Sequence, residues 1–229
     1  MILAGAGEGR RMGALGPKLL LPIGGRAALS RVLDSFLSVS AVGEIVAVVP
    51  SALLKEAESA LANAPHRRSV RLAAIPGGAT RQESVRLGLQ ALTLRLPYVA
   101  VHDVARVLVR PALIERVLAA ARADGAAIPA LPLHDSVKEV SLARVARSMP
   151  RDTLQGAQTP QVFTRDILAR AHARALEENV TETDDAALVE RMGIEVAVVP
   201  GDPSNLKLTE PGDRIILEAL LQAENQAEA

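Results

Sequence analysis

The 229-residue chain is 49% hydrophobic with two Phe, one Tyr and no Trp, so it can bury a sizeable core and that core is aliphatic. Its 26 basic and 26 acidic side chains cancel, which argues against nucleic acid or an anionic membrane as partner and confines any positive site to a local cluster. Cysteine is absent, and His66, His102, His134 and His172 share no close spacing, which removes disulfides, thiolate catalysis and Cys-based metal sites and disfavours a histidine cage.

The apolar start Met1–Ala4 predicts a short first strand running into Gly5-Ala6-Gly7-Glu8-Gly9-Arg10-Arg11-Met12 and then Pro17-Lys18. Three glycines let backbone N–H groups close around phosphate oxygens, and Arg10, Arg11 and Lys18 bring positive charge to the same place. The plainer alternative is a glycine turn with solvated arginines. Arg10 stands where the dinucleotide fingerprint needs its third glycine, and no G-x-x-x-x-G-K-[ST] occurs, so neither a Rossmann dehydrogenase nor a P-loop ATPase is favoured.

Leu29, Val32, Leu33, Phe36 and Leu37 form a helical stripe, followed by candidate strands Glu44–Val49, Val70–Ile75 and Tyr98–His102. Pro111 opens a helix with the stripe Leu113, Ile114, Val117, Leu118 and Ala121, and strands Ala126–Leu131 and Ile194–Val199 come later. This alternation predicts a three-layer α/β/α Rossmann-like sandwich on a mostly parallel sheet. The stretch from Leu133 to Gln161 breaks the rhythm, with β-like pieces Ser136–Val140 and Leu142–Ser148 that read as a protruding arm able to pack on a second copy, or as a surface hairpin. A last helix follows Pro211, with Ile215, Ile216, Ala219 and Leu220 as its expected apolar stripe. No signal-like segment opens the chain and no uncharged run approaches the ~20 residues of a membrane helix, so the expected location is the cytoplasm.

Ligands of open parallel sheets sit at the carboxyl ends of the strands, and several polar groups are expected to converge there. Gly77-Gly78 with Arg81 and Ser84 fits a loop whose backbone approaches a flat base, and Thr80 with Glu83 reads as a capping box. Asp103 and Arg106 can anchor Mg²⁺ or a hydroxyl and pair with a phosphate, or form a structural ion pair. His134-Asp135-Ser136-Val137-Lys138 follows the fifth strand. Thr183-Asp184-Asp185 reads as a helix cap, with Thr183 capping. Lys207 stands on an apolar Asn205–Thr209 segment that reads as a short strand, turned toward an anion or toward water.

In order, these motifs resemble the 2-C-methyl-D-erythritol 4-phosphate cytidylyltransferase family across essentially the whole chain. They are the glycine loop with Pro17-Lys18, Gly77-Gly78 with Arg81 and Ser84-Val85, His102-Asp103-Val104-Ala105-Arg106, Thr159-Pro160-Gln161, and Thr183-Asp184-Asp185-Ala186 with Asn205-Leu206-Lys207-Leu208-Thr209. The resemblance implies a single nucleotidyltransferase domain over 1–229, with a dimerisation arm at about 133–155 and a homodimer. It implies transfer of CMP from CTP to the polyol phosphate, with Mg²⁺ bridging the phosphates near Asp103. Arg11, Lys18 and Lys207 would be catalytic around the triphosphate, and Ala6, Gly7, Gly9, Gly78, Ser84 and Asp103 would hold the nucleotide. Arg106, Ser136, Thr183 and Arg151, the last from the partner's arm, would hold the acceptor. Ser136 keeps the hydroxyl of the family's usual threonine, whereas Val107 replaces a usual proline and Leu19 a common glutamine. Two alternatives stay open: ribitol 5-phosphate as acceptor, and a non-catalytic nucleotide-binding module of the same fold.

Overall fold

The computed structural model describes residues 1–7, 16–65 and 70–227. In chain order the elements are β1 (Ile2–Ala4), β2 (Pro22–Ile23), β3 (Arg26–Ala27), α1 (Ala28–Ser38), β4 (Glu44–Val49), α2 (Leu54–Ala62), β5 (Arg71–Pro76), α3 (Arg81–Ala91), β6 (Tyr98–Asp103) and α4 (Pro111–Asp124). There follow β7 (Ala126–Pro132), β8 (Lys138–Ser141), β9 (Arg144–Ser148), β10 (Gln155–Ala157), β11 (Gln161–Thr164), α5 (Arg165–Glu177), α6 (Asp185–Glu190), β12 (Ala197–Pro200) and α7 (Pro211–Ala227).

The main sheet runs β10-β7-β11-β6-β1-β4-β5, with β12 also paired to β7. Strands β6, β1, β4 and β5 are mutually parallel, as are β7 and β12. Side chains alternate across this sheet because successive Cβ atoms point to opposite faces. Leu3, Ile45, Ala47 and Val49 pack with α1, α2 and α4, while Ile2, Val46, Val48, Val99 and Val101 pack with α3, α5 and α6. Helices therefore cover both faces, and β4, wholly buried, reads as a continuous apolar run for that reason.

Helix α3 lies unusually close to the sheet. A methyl group added at Gly88 would meet Ile2 Cγ2 at 2.7 Å and Val48 Cγ2 at 2.9 Å. Only a glycine lets the helix settle so near β1 and β4, and that seating brings Arg81 and Ser84 at its N-terminus level with the strand ends.

Four expectations change. Strand β11 is antiparallel and inserted between β6 and β7, and β10 is antiparallel on β7; the sequence marked neither as a strand. The last strand begins at Ala197 rather than Ile194, and residues 205–209 form no strand. On α7 the buried side is Leu217 with Leu220 and Leu221, packed on Leu21, Ile23, Val107 and Leu208, whereas Ile215 and Ile216 are 73% and 51% exposed and Ala219 is exposed. The helix carries two overlapping apolar stripes, and docking against the β2–β3 hairpin selects the other one. Hairpin β8–β9 does project as expected, with every residue of both strands exposed.

Candidate active site

The loops leaving β1, β4, β5 and β6 meet in one cleft of ≈ 740 Å³ at the carboxyl edge of the parallel strands. This is where an open parallel sheet leaves room for a ligand, because neighbouring loops diverge there. Ala6, Gly7, Lys18, Gly78, Arg81, Ser84, Asp103 and Lys207 all line it. Gly9 and Arg11 lie outside the described residues.

The two glycine segments sit against each other. A side chain at Gly77 would strike Ala6 Cβ at 2.3 Å and Ser84 Oγ at 2.9 Å, so backbone alone fills that wall. Gly78 N donates to Ser84 Oγ at 3.1 Å, and Ser84 Oγ donates to Thr80 O at 2.8 Å. Thr80 caps α3, its hydroxyl accepting from Glu83 N, while the Glu83 carboxylate reaches back to Ala79 N. The capping box is therefore present with its return bond displaced by one residue. Leu19, in the one-turn helix Lys18–Leu20, is buried in the core.

Opposite the glycines stands a charged cluster. Asp103 does not pair with Arg106; its Oδ1 accepts from Arg81 Nε at 2.9 Å and its Oδ2 from Lys207 Nζ at 2.6 Å. Burial alone would push its carboxyl up, but the two cations outweigh that and hold it well below the usual carboxylate range. Arg81 forks onward to Asp185 Oδ2 at 2.9 Å, and Asp185 Oδ1 meets His172 Nε2 at 3.0 Å. Burial would lower the Arg81 pKa, yet Asp185 and Asp103 together raise it. Arg106 instead donates to Asn205 O at 2.8 Å and Ala157 O at 3.1 Å, off the cleft.

The segment carrying Lys207 is irregular, so side chains hold it. Buried Asn205 donates to Thr159 O at 2.8 Å, and Gln158 bonds Asp202 through both ends of its amide. Lys18 Nζ donates to Leu208 O at 2.8 Å and Thr209 O at 3.1 Å, which ties the first loop of the cleft to the last. Val107, buried beside Leu208, packs under the same segment.

His102 braces the end of β6 from inside. Its Nε2 faces Arg106 O at 3.1 Å, a pure acceptor, so Nε2 carries the proton and Nδ1 accepts from Thr159 Oγ1 at 3.0 Å. That hydroxyl in turn accepts from Asp103 N at 3.0 Å. Burial pushes the imidazole pKa down to about 4, against the opposing pull of Asp103. An unfolded histidine takes up its proton near pH 6.5, so below that pH the unfolded chain binds a proton that the folded chain refuses. The stability from this group is complete above pH 6.5 and falls by about 3 kcal/mol on the way down to pH 4. Histidine ¹⁵N spectra at pH 5.5 should show a neutral His102 ring protonated on Nε2; a ring half-charged near pH 6.5 refutes the arrangement.

The other predicted positions lie elsewhere. Ser136, Arg151 and Thr183 are outside the cleft lining, with Ser136 and Arg151 exposed on the arm, and Arg151 donates to His134 O at the base of the hairpin. The group after the fifth strand fails to converge because β11 separates β7 from β6, a displacement the sequence did not reveal. At α6 the cap is Asp184, accepting from Ala187 N at 2.9 Å, rather than Thr183. Sequence reasoning read Asp185 as part of a helix cap and gave His172 no role. An acidic residue in a first helical turn already has a sufficient explanation in the helix dipole, and nothing in a lone histidine on α5 points to it.

Residues 1–223 match the family described as 2-C-methyl-D-erythritol 4-phosphate cytidylyltransferase (IspD). A bifunctional enzyme IspD/IspF of Bradyrhizobium sp. (strain ORS 278) is 44% identical over 97% of this chain, which spans 56% of that protein's length. The 2-C-methyl-D-erythritol 4-phosphate cytidylyltransferase of Nocardia farcinica is 42% identical over 96% of this chain and 92% of its own. The crystal structure of the Thermus thermophilus enzyme of that name superimposes with a TM-score of 0.78 at 35% identity, covering 96% of this chain and 97% of the other.

Proposed function

The chain belongs to the 2-C-methyl-D-erythritol 4-phosphate cytidylyltransferase family, and from that premise we propose that its cleft transfers CMP from CTP to 2-C-methyl-D-erythritol 4-phosphate. The products are 4-diphosphocytidyl-2-C-methyl-D-erythritol, an isoprenoid precursor, and pyrophosphate. The observation that carries this reading is the meeting of a backbone-walled glycine cradle with two lysines and one carboxylate at the ends of four adjacent parallel strands.

The wall made by Ala6, Gly7, Gly77 and Gly78 admits a flat base to main-chain distance, and Ser84 fixes its far side. Gly9 and Arg11, which follow Gly7 in the sequence, are proposed to hold the nucleotide and the triphosphate. Lys18 and Lys207 face the triphosphate from opposite loops. A phosphate oxygen of the acceptor attacks the α-phosphorus in line, forming one P–O bond as the bond to the β-phosphate's bridging oxygen breaks and pyrophosphate departs. The attacking oxygen is already anionic near neutral pH, so this chain supplies position and charge rather than a base. Lysine suits that task, since its three donors follow charge that moves onto the leaving group.

Among the described residues Asp103 is the one carboxylate in the cleft lining, and no three His, Cys, Asp or Glu side chains gather into a cage. That donor set fits Mg²⁺, which is commonly held by one or two carboxylates together with substrate phosphates. Asp103 would hold the ion, which when bound neutralises charge across the phosphate oxygens.

Arg106, Ser136 and Thr183, which lie outside the cleft lining of the single chain, are proposed to hold the acceptor phosphate in a dimer, with Arg151 supplied by the arm of a second copy. The arm, about 133–155, exposes Val140 at 60%, Leu142 at 94% and Val145 at 62%, apolar surface that a homodimer would cover. A monomeric mass in solution removes the dimer and, with it, the role of Arg151. Among the described residues no helix is long and apolar enough to cross a membrane, and the cytoplasm is the proposed location.

Pyrophosphate release with CTP and Mg²⁺, offering methylerythritol 4-phosphate and ribitol 5-phosphate in parallel, tests the reading. Release with the first acceptor alone is the expected result. Release with ribitol phosphate alone reassigns the acceptor, and CTP binding without release with either reduces the protein to a nucleotide-binding module.

A further inference from the structure

The two oxygens of Asp103 are held by unlike partners. Lys207, on Oδ2, is 41% exposed on an irregular segment, and its ammonium can turn to a phosphate at little cost in desolvation. Arg81, on Oδ1, has a second carboxylate behind it.

That second carboxylate, Asp185, is fully buried at the start of α6, and neither it nor His172 lines the cleft. Its Oδ2 accepts from Arg81 Nη1 and its Oδ1 meets the equally buried His172, while Gln161 Oε1 accepts from Asp185 N at 3.2 Å. Were Arg81 to swing away, it would strand a carboxylate in the interior, which is far more costly than breaking an exposed pair. The fork is so constrained that Arg81 Nη2 is buried with no partner among the described residues, so the guanidinium sits where the two carboxylates put it at the expense of one donor.

Resting on the reading of the cleft given above, the geometry points to Asp185 as a positioning residue for cytidylyl transfer: through Arg81 it locks Asp103 Oδ1 and leaves Oδ2 as the oxygen that exchanges Lys207 for an incoming group. Asp185 touches no reacting atom, and its influence passes through a single side chain. This separates the acidic pair of the sequence. Asp184 caps the helix, and Asp185 serves the cleft from beneath.

A double-mutant cycle tests this. Asp185→Asn keeps the shape and removes the charge; Arg81→Lys keeps a charge that cannot fork between two carboxylates. Each is expected to lower kcat/KM for CTP by about tenfold or more, and the double variant should be no worse than Arg81→Lys alone, within about twofold, because the first change acts only through the second. Losses that multiply in the double variant overturn the positioning role, since a residue supporting the fold would add its damage independently of Arg81. Thermal midpoints measured in parallel keep stability apart from turnover. Should Asp185→Asn fail to fold, His172→Leu, which removes the donor behind Asp185, goes through the same cycle with the same two outcomes. An Arg81→Lys enzyme with unchanged kcat/KM likewise overturns the positioning role, whereas a wild-type chain that releases no pyrophosphate from CTP with either acceptor rejects the functional reading, so the two failures give different results.

Discussion

Replacing Lys18 by alanine is expected to lower kcat for pyrophosphate release by about 10²–10³-fold, the loss typical of removing one preorganised donor from a charge-stabilising site. The lysine is fixed before any ligand arrives. Pro17 and the short helix Lys18–Leu20 place it in the cleft lining, and its ammonium rests on the carbonyls of Leu208 and Thr209. The same bonds span the cleft, and their loss loosens the segment that carries Lys207. The effect should therefore exceed that of a lone charge deletion, with KM for CTP raised as well. Steady-state kinetics at saturating CTP give the decisive number. Turnover within about threefold of wild type would reduce Lys18 to a tether for the 208–209 backbone.

Lys207→Ala is the second large loss, also about 10²-fold or more in kcat, and its signature differs. The ion pair with Asp103 is partly exposed at Lys207, and pairs of that kind contribute little to stability. Asp103 keeps Arg81 when the lysine is gone, so the thermal midpoint should stay close to wild type while turnover collapses. A variant that unfolds early, with activity restored at lower temperature, would mean that the lysine serves the fold. Asp103→Asn makes a useful contrast, because it frees both cations at once and leaves half-buried Arg81 with Asp185 as its remaining carboxylate partner.

Most of the cleft is legible in the sequence because it follows from topology. Once short apolar runs and helical stripes alternate, the loops after the strands are the place for a ligand, and the glycines, Lys18 and Asp103 stand there, with Lys207 marked by its apolar neighbours. Two sides of the site are hidden for different physical reasons. Strand β11 is four residues long and begins with Gln161, whose amide points away from the strand to cap α6 through Asp184, Asp185 and Ala186; its polar start gives no strand signal. Its insertion is what carries Ser136 away from the cleft. Asp185 and His172 are hidden because burial of a charge is a property of packing, and their meeting exists only once α5 and α6 have docked on the sheet. On α7 the apolar run Ile215-Ile216-Leu217 supports more than one stripe, and only the surface it docks on decides between them.

The central strand has no local partner. Ile2 lies beside Val46 on one edge of β1 and beside Val101 on the other, so pairing either edge means closing a long loop whose entropy is lost before any contact repays it. Until β6 is in place, β1 and β4 present an open apolar edge in the middle of what will become the core, and the cleft, which needs the ends of both strands, does not exist. Refolding from denaturant should accordingly be slow for a chain of this helix content. The partly assembled sheet, with its unpaired edge, is the species most prone to stick to its own kind.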